Sequence, residues 1–320
     1  MLAVTAETFR QLTADGFFRG CSFGLLGVGF AMILGVTGRF HFAYGFTYTL
    51  AVYLAFTFTF RGPFAPGGSF PTPSNVHFWL AAIAAVLLTG LLGAGIERAV
   101  YRPLAQNAGA NALLAVFVAA LGLGIAGDNF VSLFWGSQSQ AYFGPAQKAY
   151  TVWDAIFLNF DVWQAATGVV ITLALAAMLK FTPLGRQIKA TRVNPDLART
   201  IGINANWVYV IVFFLGTVCA AVSAVFYGLK YTVAPGMGST PVIYAFVVAF
   251  LAGTARSPIR VFATGIVVGL VEQYASIWFS VRWTQTVVFV LLVGYLTYLA
   301  IKSSAWRAKF RPLSLARGRA

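Results

Sequence analysis

Nine apolar segments, eight of them 16 to 24 residues long, follow one another along the chain and are separated by polar or Gly- and Pro-rich interruptions. A helix of about 20 apolar residues crosses ~30 Å of hydrocarbon, so segments of this length favour membrane spans. The segments cover residues 20–36, 42–60, 78–96, 111–134, 162–179, 207–228, 242–252, 262–279 and 286–301. They predict an all-α fold, a polytopic membrane helical bundle of about eight or nine spans.

Composition excludes the other broad classes. Apolar residues make up 59% of the chain and charged residues 9%, whereas a soluble domain carries about 25% charged residues. The net charge of +14 is compatible with nucleic-acid binding only if the basic residues share one solvated face. Here they fall between apolar segments, as in the cytoplasmic loops of membrane proteins. We therefore expect membrane lipid around the chain and no nucleic-acid partner.

The same charge pattern predicts which loops face the cytoplasm, because short cytoplasmic loops collect Lys and Arg. The segments placed inside on this rule are Arg39, 97–102, 180–206, 256–260 and a basic cytoplasmic tail at 302–320. The chain then divides into an amphipathic or interfacial N-terminal segment at 1–19, a transmembrane domain at 20–301 and this tail. Nine crossings place the N-terminus outside, and one re-entrant segment would place it inside.

The seventh apolar segment, residues 242–252, is too short to cross the membrane. Eleven residues extend only about 16 Å, so the sequence predicts a broken or half-helix. Ser239 or Thr240 is the expected N-cap, with Pro241 at the first helical position. The N-terminal end of such a helix suits an anionic or carbonyl-bearing solute. An ordinary short helix packed among its neighbours is the alternative.

A second interruption, GVTGRFHFAYG at residues 35–45, places Arg39 and His41 between two long apolar runs. Paired breaks in separate halves of a transporter indicate a substrate pathway. Arg39 could instead extend to the headgroups from a tight hairpin, and His41 could be a hydrogen-bonded core histidine.

Two further features concern the interior of the bundle. Glu272 lies within an apolar segment, so we expect it to face other helices, where it either contacts solute or hydrogen-bonds to a neighbouring helix. Gly265 and Gly269, four residues apart, predict a close approach between two helices.

The sequence contains no Walker A motif, no nucleophile and base arranged for hydrolysis, and no metal-ligand spacing. We therefore expect neither an enzyme nor a chain that binds a metal or cofactor. If ATP drives this protein, another chain must hydrolyse it.

The loop at 180–206 contains a stripe of small or polar residues at steps of four: Ala190, Asn194, Ala198 and Gly202. Pro195 interrupts a continuous helix, so we expect a turn followed by a helix from about Asp196. With Arg192 and Arg199 beside it, the stripe could fit a groove on a partner protein. The alternative is a solvated basic loop that only sets the topology.

Several segments resemble the permease subunits of branched-chain amino-acid ABC importers of the LivH type. They are IERAVYRPL at 96–104, TPLGRQIKA at 182–190, GIN at 202–204, the break at 35–45, PGMG at 235–238 and GLVE at 269–272. The resemblance covers nearly the whole chain and keeps the order of the motifs.

This resemblance implies a permease in the bacterial inner membrane that moves solute by alternating access. Its partners would be a second permease subunit, identical or homologous, two ABC ATPase subunits that bind ATP and Mg, and an extracytoplasmic solute-binding protein. The segment seated on an ATPase would contain Ala190, Arg192, Asn194, Asp196, Ala198, Gly202 and Ile203.

The chain departs from the family at the first break, where it has His41 and Tyr44, with Phe46 replacing an acidic residue. The solute implied is therefore broad: branched-chain amino acid-like, a urea or amide, or an organic acid. The translocation pathway is expected at His41, Phe42, Tyr44, Thr240 and Glu272. A stand-alone secondary transporter or channel is the alternative function, and it would use Glu272 with Asp128 as an ion site.

Overall fold

The computed structural model describes residues 6–61, 72–73, 77–139, 147–152, 154–253 and 257–302. Its α-helices are α1 (Ala6–Thr37), α2 (Tyr44–Thr59), α3 (Phe78–Ile96), α4 (Arg102–Asn107), α5 (Ala112–Trp135), α6 (Asn159–Phe181), α7 (Pro183–Val193), α8 (Pro195–Thr200), α9 (Ala205–Lys230), α10 (Ser239–Ala252), α11 (Pro258–Ala275) and α12 (Val281–Lys302). A π-helical turn, Glu97–Tyr101, joins α3 to α4, and a 3₁₀ turn, Gly109–Asn111, precedes α5.

Each predicted apolar segment is largely helical, which confirms the all-α membrane class. By length and composition, five stretches of the described chain could each cross a membrane: Ala6–Thr37, Phe78–Asn107, Gly109–Trp135, Asn159–Phe181 and Ala205–Lys230. Helix α10 has 14 residues, about 21 Å, and is longer at its start than predicted. The count of eight or nine spans stays a prediction.

Two short antiparallel strand pairs accompany the helices. Strand β1 (Phe60–Arg61) pairs with β2 (Thr72–Pro73). Strand β3 (Ala149–Val152) pairs with β4 (Ala155–Leu158), with Ala149 opposite Leu158. Strand β4 is anchored to α1, because the backbone N–H of Ile156 donates to Gln11 Oε1 at 2.8 Å.

Helix α1 continues from Ala6 to Thr37 without a break at residue 19, where the sequence analysis ended its N-terminal segment. The interfacial placement of residues 1–19 stays a prediction. The predicted basic tail from residue 303 lies outside the described residues, as do most of the loop at 62–76 and the turn at 254–256.

Helices α1 and α11 approach closely through glycine faces. A Cβ on Gly20 would lie 2.6 Å from the Cα of Ile266, and one on Gly24 would lie 2.7 Å from the carbonyl oxygen of Phe262. The backbone of α1 likewise leaves no space for a Cβ on Gly265 or Gly269. The predicted role of these two glycines is thus confirmed, and helices in lipid commonly associate through such small residues.

The core lies between α1, α2, α9 and α10, with buried aromatic side chains such as Phe30, Tyr48 and Phe213. Helices α3 and α5 instead present leucine and isoleucine outward. Examples are Leu80, Leu91, Ile125 and Leu133, which are 59% to 69% exposed. Large apolar faces of this kind are expected where lipid, rather than water, surrounds a helix.

Three basic side chains lie together at one end of the bundle. A cavity of about 500 Å³ at that end is lined by the last residues of α1 and α6, by α7 and by the start of α11. Its charged lining residues, Lys180, Lys189 and Arg192, all come from segments that the sequence assigned to the cytoplasm.

Candidate translocation cavity and coupling segment

A cavity of about 510 Å³ lies between α1, α2, α6, α9, α10, α11 and α12. Its charged lining residues are Arg19, Asp161, Lys230 and Glu272, so positive and negative groups balance. We call it the charged cavity. It lies at the start of α6 and the end of α9, whereas the cavity lined by α7 lies at the end of α6.

One ion pair in the charged cavity joins α6 to α9. Lys230 Nζ lies 2.8 Å from Asp161 Oδ1. The other oxygen, Asp161 Oδ2, accepts a hydrogen bond of 3.0 Å from the backbone N–H of Leu158, just before α6. An acidic side chain in the first turn is favoured there by the helix dipole. Both carboxylate oxygens of Asp161 are therefore occupied.

The second ion pair is more open. Arg19 Nη1 lies 3.6 Å from Glu272 Oε1, and the hydroxyl of Tyr244 donates to that same oxygen at 2.8 Å. Glu272 is 7% exposed, which confirms that it faces the interior. Its bond to Tyr244 on α10 fits the structural role considered for it. Its second oxygen, Oε2, has no hydrogen-bond partner in the described part of the chain.

Helix α10 begins differently from the prediction. Gly238 is its N-cap and makes no side-chain cap, so the expected N-cap at Ser239 or Thr240 is wrong, and Pro241 is the third helical residue. The reason is a contact with α2. The backbone of Gly45 packs against Gly238, whose N–H donates to Thr49 Oγ1 at 3.1 Å.

The two breaks singled out in the sequence therefore meet in space, through Gly45 and Gly238. Beside this contact, Thr240 and Pro241 line the charged cavity at the start of α10. This contact requires glycine at 238, where a Cβ would overlap the carbonyl oxygen of Gly45, and a Cβ on Gly45 would be tight, at 3.1 Å from the carbonyl oxygen of Gly238.

The rest of the first break is fixed to the π-helical turn. Arg39 forms a hydrogen-bonded ion pair with Glu97, which is 1% exposed. Four residues along the turn, the Tyr101 hydroxyl is 2.9 Å from His41 Nδ1. The Arg39 guanidinium also lies over the ring of Tyr209. The connection from α1 to α2 is thus short, as the alternative expected, but Arg39 is paired within the protein and is not free to reach the headgroups.

The predicted pathway residues separate into two groups. Thr240 and Glu272 line the charged cavity. His41 and Tyr44 do not, because both are 0% exposed in the core. Tyr44 Oη lies 3.1 Å from each of the carbonyl oxygens of Leu26 and Gly216, which share its single hydroxyl hydrogen.

Phe42, the remaining predicted pathway residue, packs its ring against Phe117 and Phe246. Like His41 and Tyr44, Phe42 therefore contacts the core around the first break. The five predicted residues therefore do not form one continuous surface.

Sequence reasoning missed Arg19, Asp161 and Lys230 as lining residues, and Glu97 as the partner of Arg39. Asp161 and Lys230 lie at opposite helix ends, where charged residues are ordinary. The spacing of Glu97 and Tyr101, four apart in IERAVY, was the available signal, since such residues share one helix face.

The predicted coupling segment folds as two short helices. Asn194 ends α7 and caps α8, because its Oδ1 accepts from the backbone N–H groups of Asp196 and Leu197 at 2.9 and 3.1 Å. Helix α8 ends at Thr200, and Gly202 follows with φ of +83°. The turn before a helix near Asp196 is therefore confirmed.

The stripe of small residues does not share one exposed face. Ala198 is 1% exposed and packs inward, Gly202 and Asp196 are exposed, and Ala190, Arg192, Asn194 and Ile203 are half-buried. The large apolar side chains that this segment exposes are instead Val193, Leu197 and Ile201, which are 83%, 63% and 72% exposed. We call these three residues the apolar strip.

The chain is an apolar helical bundle with an interior cavity, in which the charges balance, and an apolar strip exposed at one end. These features define an integral membrane protein of the transport class. Residues 12–296 match the family described as the branched-chain amino acid transport system permease component. The chain belongs to this family, which confirms the resemblance. Its members are transport permease subunits, which are not enzymes.

Two relatives show how far the similarity extends. The high-affinity branched-chain amino acid transport system permease protein BraD of Pseudomonas aeruginosa is 29% identical over 297 residues, covering 91% of this chain and 94% of BraD. The permease protein LivH of Escherichia coli K12, of the corresponding transport system, is 27% identical over 295 residues, covering 89% and 92%. No solved structure matches the chain.

Proposed function

We propose that this chain is the transmembrane permease subunit of an ABC importer in a bacterial inner membrane. Its partners would be a second permease, identical or homologous, two ATPases that bind ATP and Mg, and an extracytoplasmic solute-binding protein. The solute is small and polar or amphipathic. A branched-chain amino acid is the first candidate, since BraD and LivH are named for it, and urea, amides and organic acids are the alternatives.

The observation that carries this proposal is the apolar strip. Val193, Leu197 and Ile201 lie at steps of four beside an exposed ion pair, Asp196 with Arg199 at 3.1 Å. Large apolar side chains that are more than half exposed, beyond the ends of α6 and α9, are unfavourable in water unless a protein covers them. A groove on an ATPase subunit supplies that cover.

The positions of α6 and α9 suggest how ATP hydrolysis reaches the solute. The segment with α7 and α8 connects the end of α6 to the start of α9. The opposite ends of these helices carry Asp161 and Lys230, which line the charged cavity. A displacement of α8 by the ATPase would therefore move two walls of the cavity, as alternating access requires.

The same arrangement supports a sidedness for the chain. The end with α7 and α8 would face the cytoplasm, together with Arg39 and the basic tail at 302–320, as the distribution of Lys and Arg favours. The charged cavity would then lie toward the extracytoplasmic side, where a solute-binding protein delivers its ligand.

Reconstitution tests the proposal against a stand-alone secondary transporter or channel. Proteoliposomes with the purified chain alone should take up no L-leucine, urea or monocarboxylate. Adding the second permease, the ATPases and the solute-binding protein should give uptake that requires ATP. Uptake by the chain alone, driven by a proton or sodium gradient, would contradict the importer assignment.

Replacing Leu197 with aspartate should uncouple the importer. The change places a carboxylate in the apolar strip, where burial of the charge against an ATPase costs several kcal/mol and weakens docking by about 100-fold or more. Permease-stimulated ATP hydrolysis in proteoliposomes should fall correspondingly. Thermal unfolding of the isolated permease should be unchanged, since Leu197 is 63% exposed.

The matched control for this variant is Val152→Asp. Val152 is 51% exposed in β3, beyond the other end of α6, where no ATPase is expected. Without the solute-binding protein in the assay, stimulated hydrolysis should therefore stay at the wild-type level. Equal stimulation by the Leu197→Asp variant would show that the apolar strip is not the docking surface.

A further inference from the structure

The charged cavity contains one charged pair that is incompletely satisfied by the protein. Glu272 Oε1 accepts from Tyr244, whereas Oε2 is buried without a hydrogen-bond partner among the described residues. Its counter-ion, the Arg19 guanidinium, lies 3.6 Å away. Charge-assisted hydrogen bonds are typically about 2.7–2.9 Å long, so this pair is loosely associated.

The other pair in the cavity differs in this respect. Lys230 and Asp161 are in direct contact at 2.8 Å, and the second Asp161 oxygen accepts from the backbone of Leu158. Neither carboxylate oxygen of Asp161 is therefore left without a partner. A ligand would meet one acidic oxygen on α11 that has no partner among the residues the structure describes, beside a guanidinium on α1 that also interacts with Tyr231.

The remaining lining favours a ligand that is partly apolar. Phe18, Phe23 and Leu26 on α1 and Met237 before α10 provide apolar surface near the open pair. The volume of about 510 Å³ lies within the range of about 300–1,000 Å³ typical of small-molecule sites.

The charge balance discriminates between classes of solute. A carboxylate can take two parallel hydrogen bonds from an Arg guanidinium, and an ammonium group can donate to the open Glu272 oxygen. A zwitterion supplies both groups and leaves the cavity neutral. A monocarboxylate or an amine supplies one group and leaves the cavity with an uncompensated charge beside Glu272, whose side chain is 9% exposed, and urea supplies neither charge.

We infer that the charged cavity binds a zwitterionic α-amino acid, with Arg19 holding its carboxylate, Glu272 its ammonium and the apolar wall its side chain. The inference rests on the proposed function, for which it specifies the solute class and the place where the solute lies within the bundle. Thr240 and Pro241 place the positive end of the α10 dipole at the same cavity.

Equilibrium binding of radiolabelled L-leucine to the complete importer in nanodiscs, without the solute-binding protein, tests this inference. Unlabelled 4-methylpentanoate lacks the ammonium of leucine, and 3-methylbutylamine lacks its carboxylate. In the wild type, each analogue should compete at least about tenfold less well than leucine, since each forfeits a charged hydrogen bond.

The variants Glu272→Gln and Arg19→Gln should each weaken leucine binding at least about tenfold. Glutamine at 272 keeps an acceptor for Tyr244, so the packing of α10 on α11 is preserved. The first variant should lose discrimination against the carboxylate analogue, and the second against the amine. The same exchanges at the exposed pair outside the cavity, Asp154→Asn and Arg10→Gln, should bind leucine as the wild type does.

The two proposals fail in different ways. Unchanged leucine binding by both cavity variants would overturn the site, and so would equal competition by urea or by either analogue. Loss of permease-stimulated ATP hydrolysis in the cavity variants would mark misassembly. The variant Arg19→Lys, which keeps the positive charge but not the planar guanidinium, would then have to show the weakened leucine binding instead. The importer assignment is decided separately, by whether wild-type uptake requires ATP and the partner subunits.

Discussion

Replacing Gly20 with leucine should abolish stable folding of the permease. The Cβ position of residue 20 lies within 3.0 Å of three backbone atoms of α11, at Gly265 and Ile266, so no side-chain rotation can relieve the overlap. Helix α11 must therefore separate from α1, at a cost of about 3 kcal/mol or more. We expect the monodisperse peak in detergent size-exclusion chromatography to disappear.

The control is the same exchange at Gly122, where a Cβ would meet nothing within 4 Å. Leucine is a better helix former than glycine, by up to about 1 kcal/mol, so Gly122→Leu should be neutral or slightly stabilising. Monodisperse Gly20→Leu protein with a wild-type unfolding temperature would show that α1 and α11 are not in backbone contact.

Removing one member of the Arg39–Glu97 pair should have the second large effect. Glu97 is 1% exposed and the Arg39 side chain 14%, so either charge left alone would be buried. We expect Arg39→Met to lower the free energy of unfolding by about 3 kcal/mol. The double variant Arg39→Met with Glu97→Met should recover most of that loss, because it removes both charges.

Thermal unfolding in detergent measures these differences. The exposed pair Arg10–Asp154, with side chains 47% and 60% exposed, provides the comparison. There, Arg10→Met should change the unfolding free energy by less than about 1 kcal/mol. A double variant at 39 and 97 that is as unstable as the single variant would contradict the role of the buried charges.

The helices were predictable because long apolar runs need no tertiary information to be recognised. The spacing of Gly265 and Gly269 indicated a close helix contact, and the position of Glu272 within its segment indicated an inward-facing carboxylate. In each case the residues that indicate the feature lie within a single segment of the sequence.

The charged cavity was only partly predictable, because its pairs join residues far apart in sequence. Lys230 and Asp161 are 69 positions apart, and each alone resembles a charged residue at a helix end. Likewise, no local pattern shows that Gly238 packs on Gly45, which is why the N-cap of α10 was placed on the wrong residue. His41 and Tyr44 were predicted as pathway residues because they lie in the first break, but their buried partners could not be read from the sequence.

The glycine contact between α1 and α11 also sets an order of events during synthesis. Gly265 is added about 240 residues after Gly24. At about 5–20 residues per second, the ribosome needs on the order of 10 to 50 s to make the chain between them. During this time the glycine face of α1 has no α11 to pack against and is exposed to lipid. Any other helix with a similar face can bind there first. Coexpression with a fragment that carries α11 would reveal such competition.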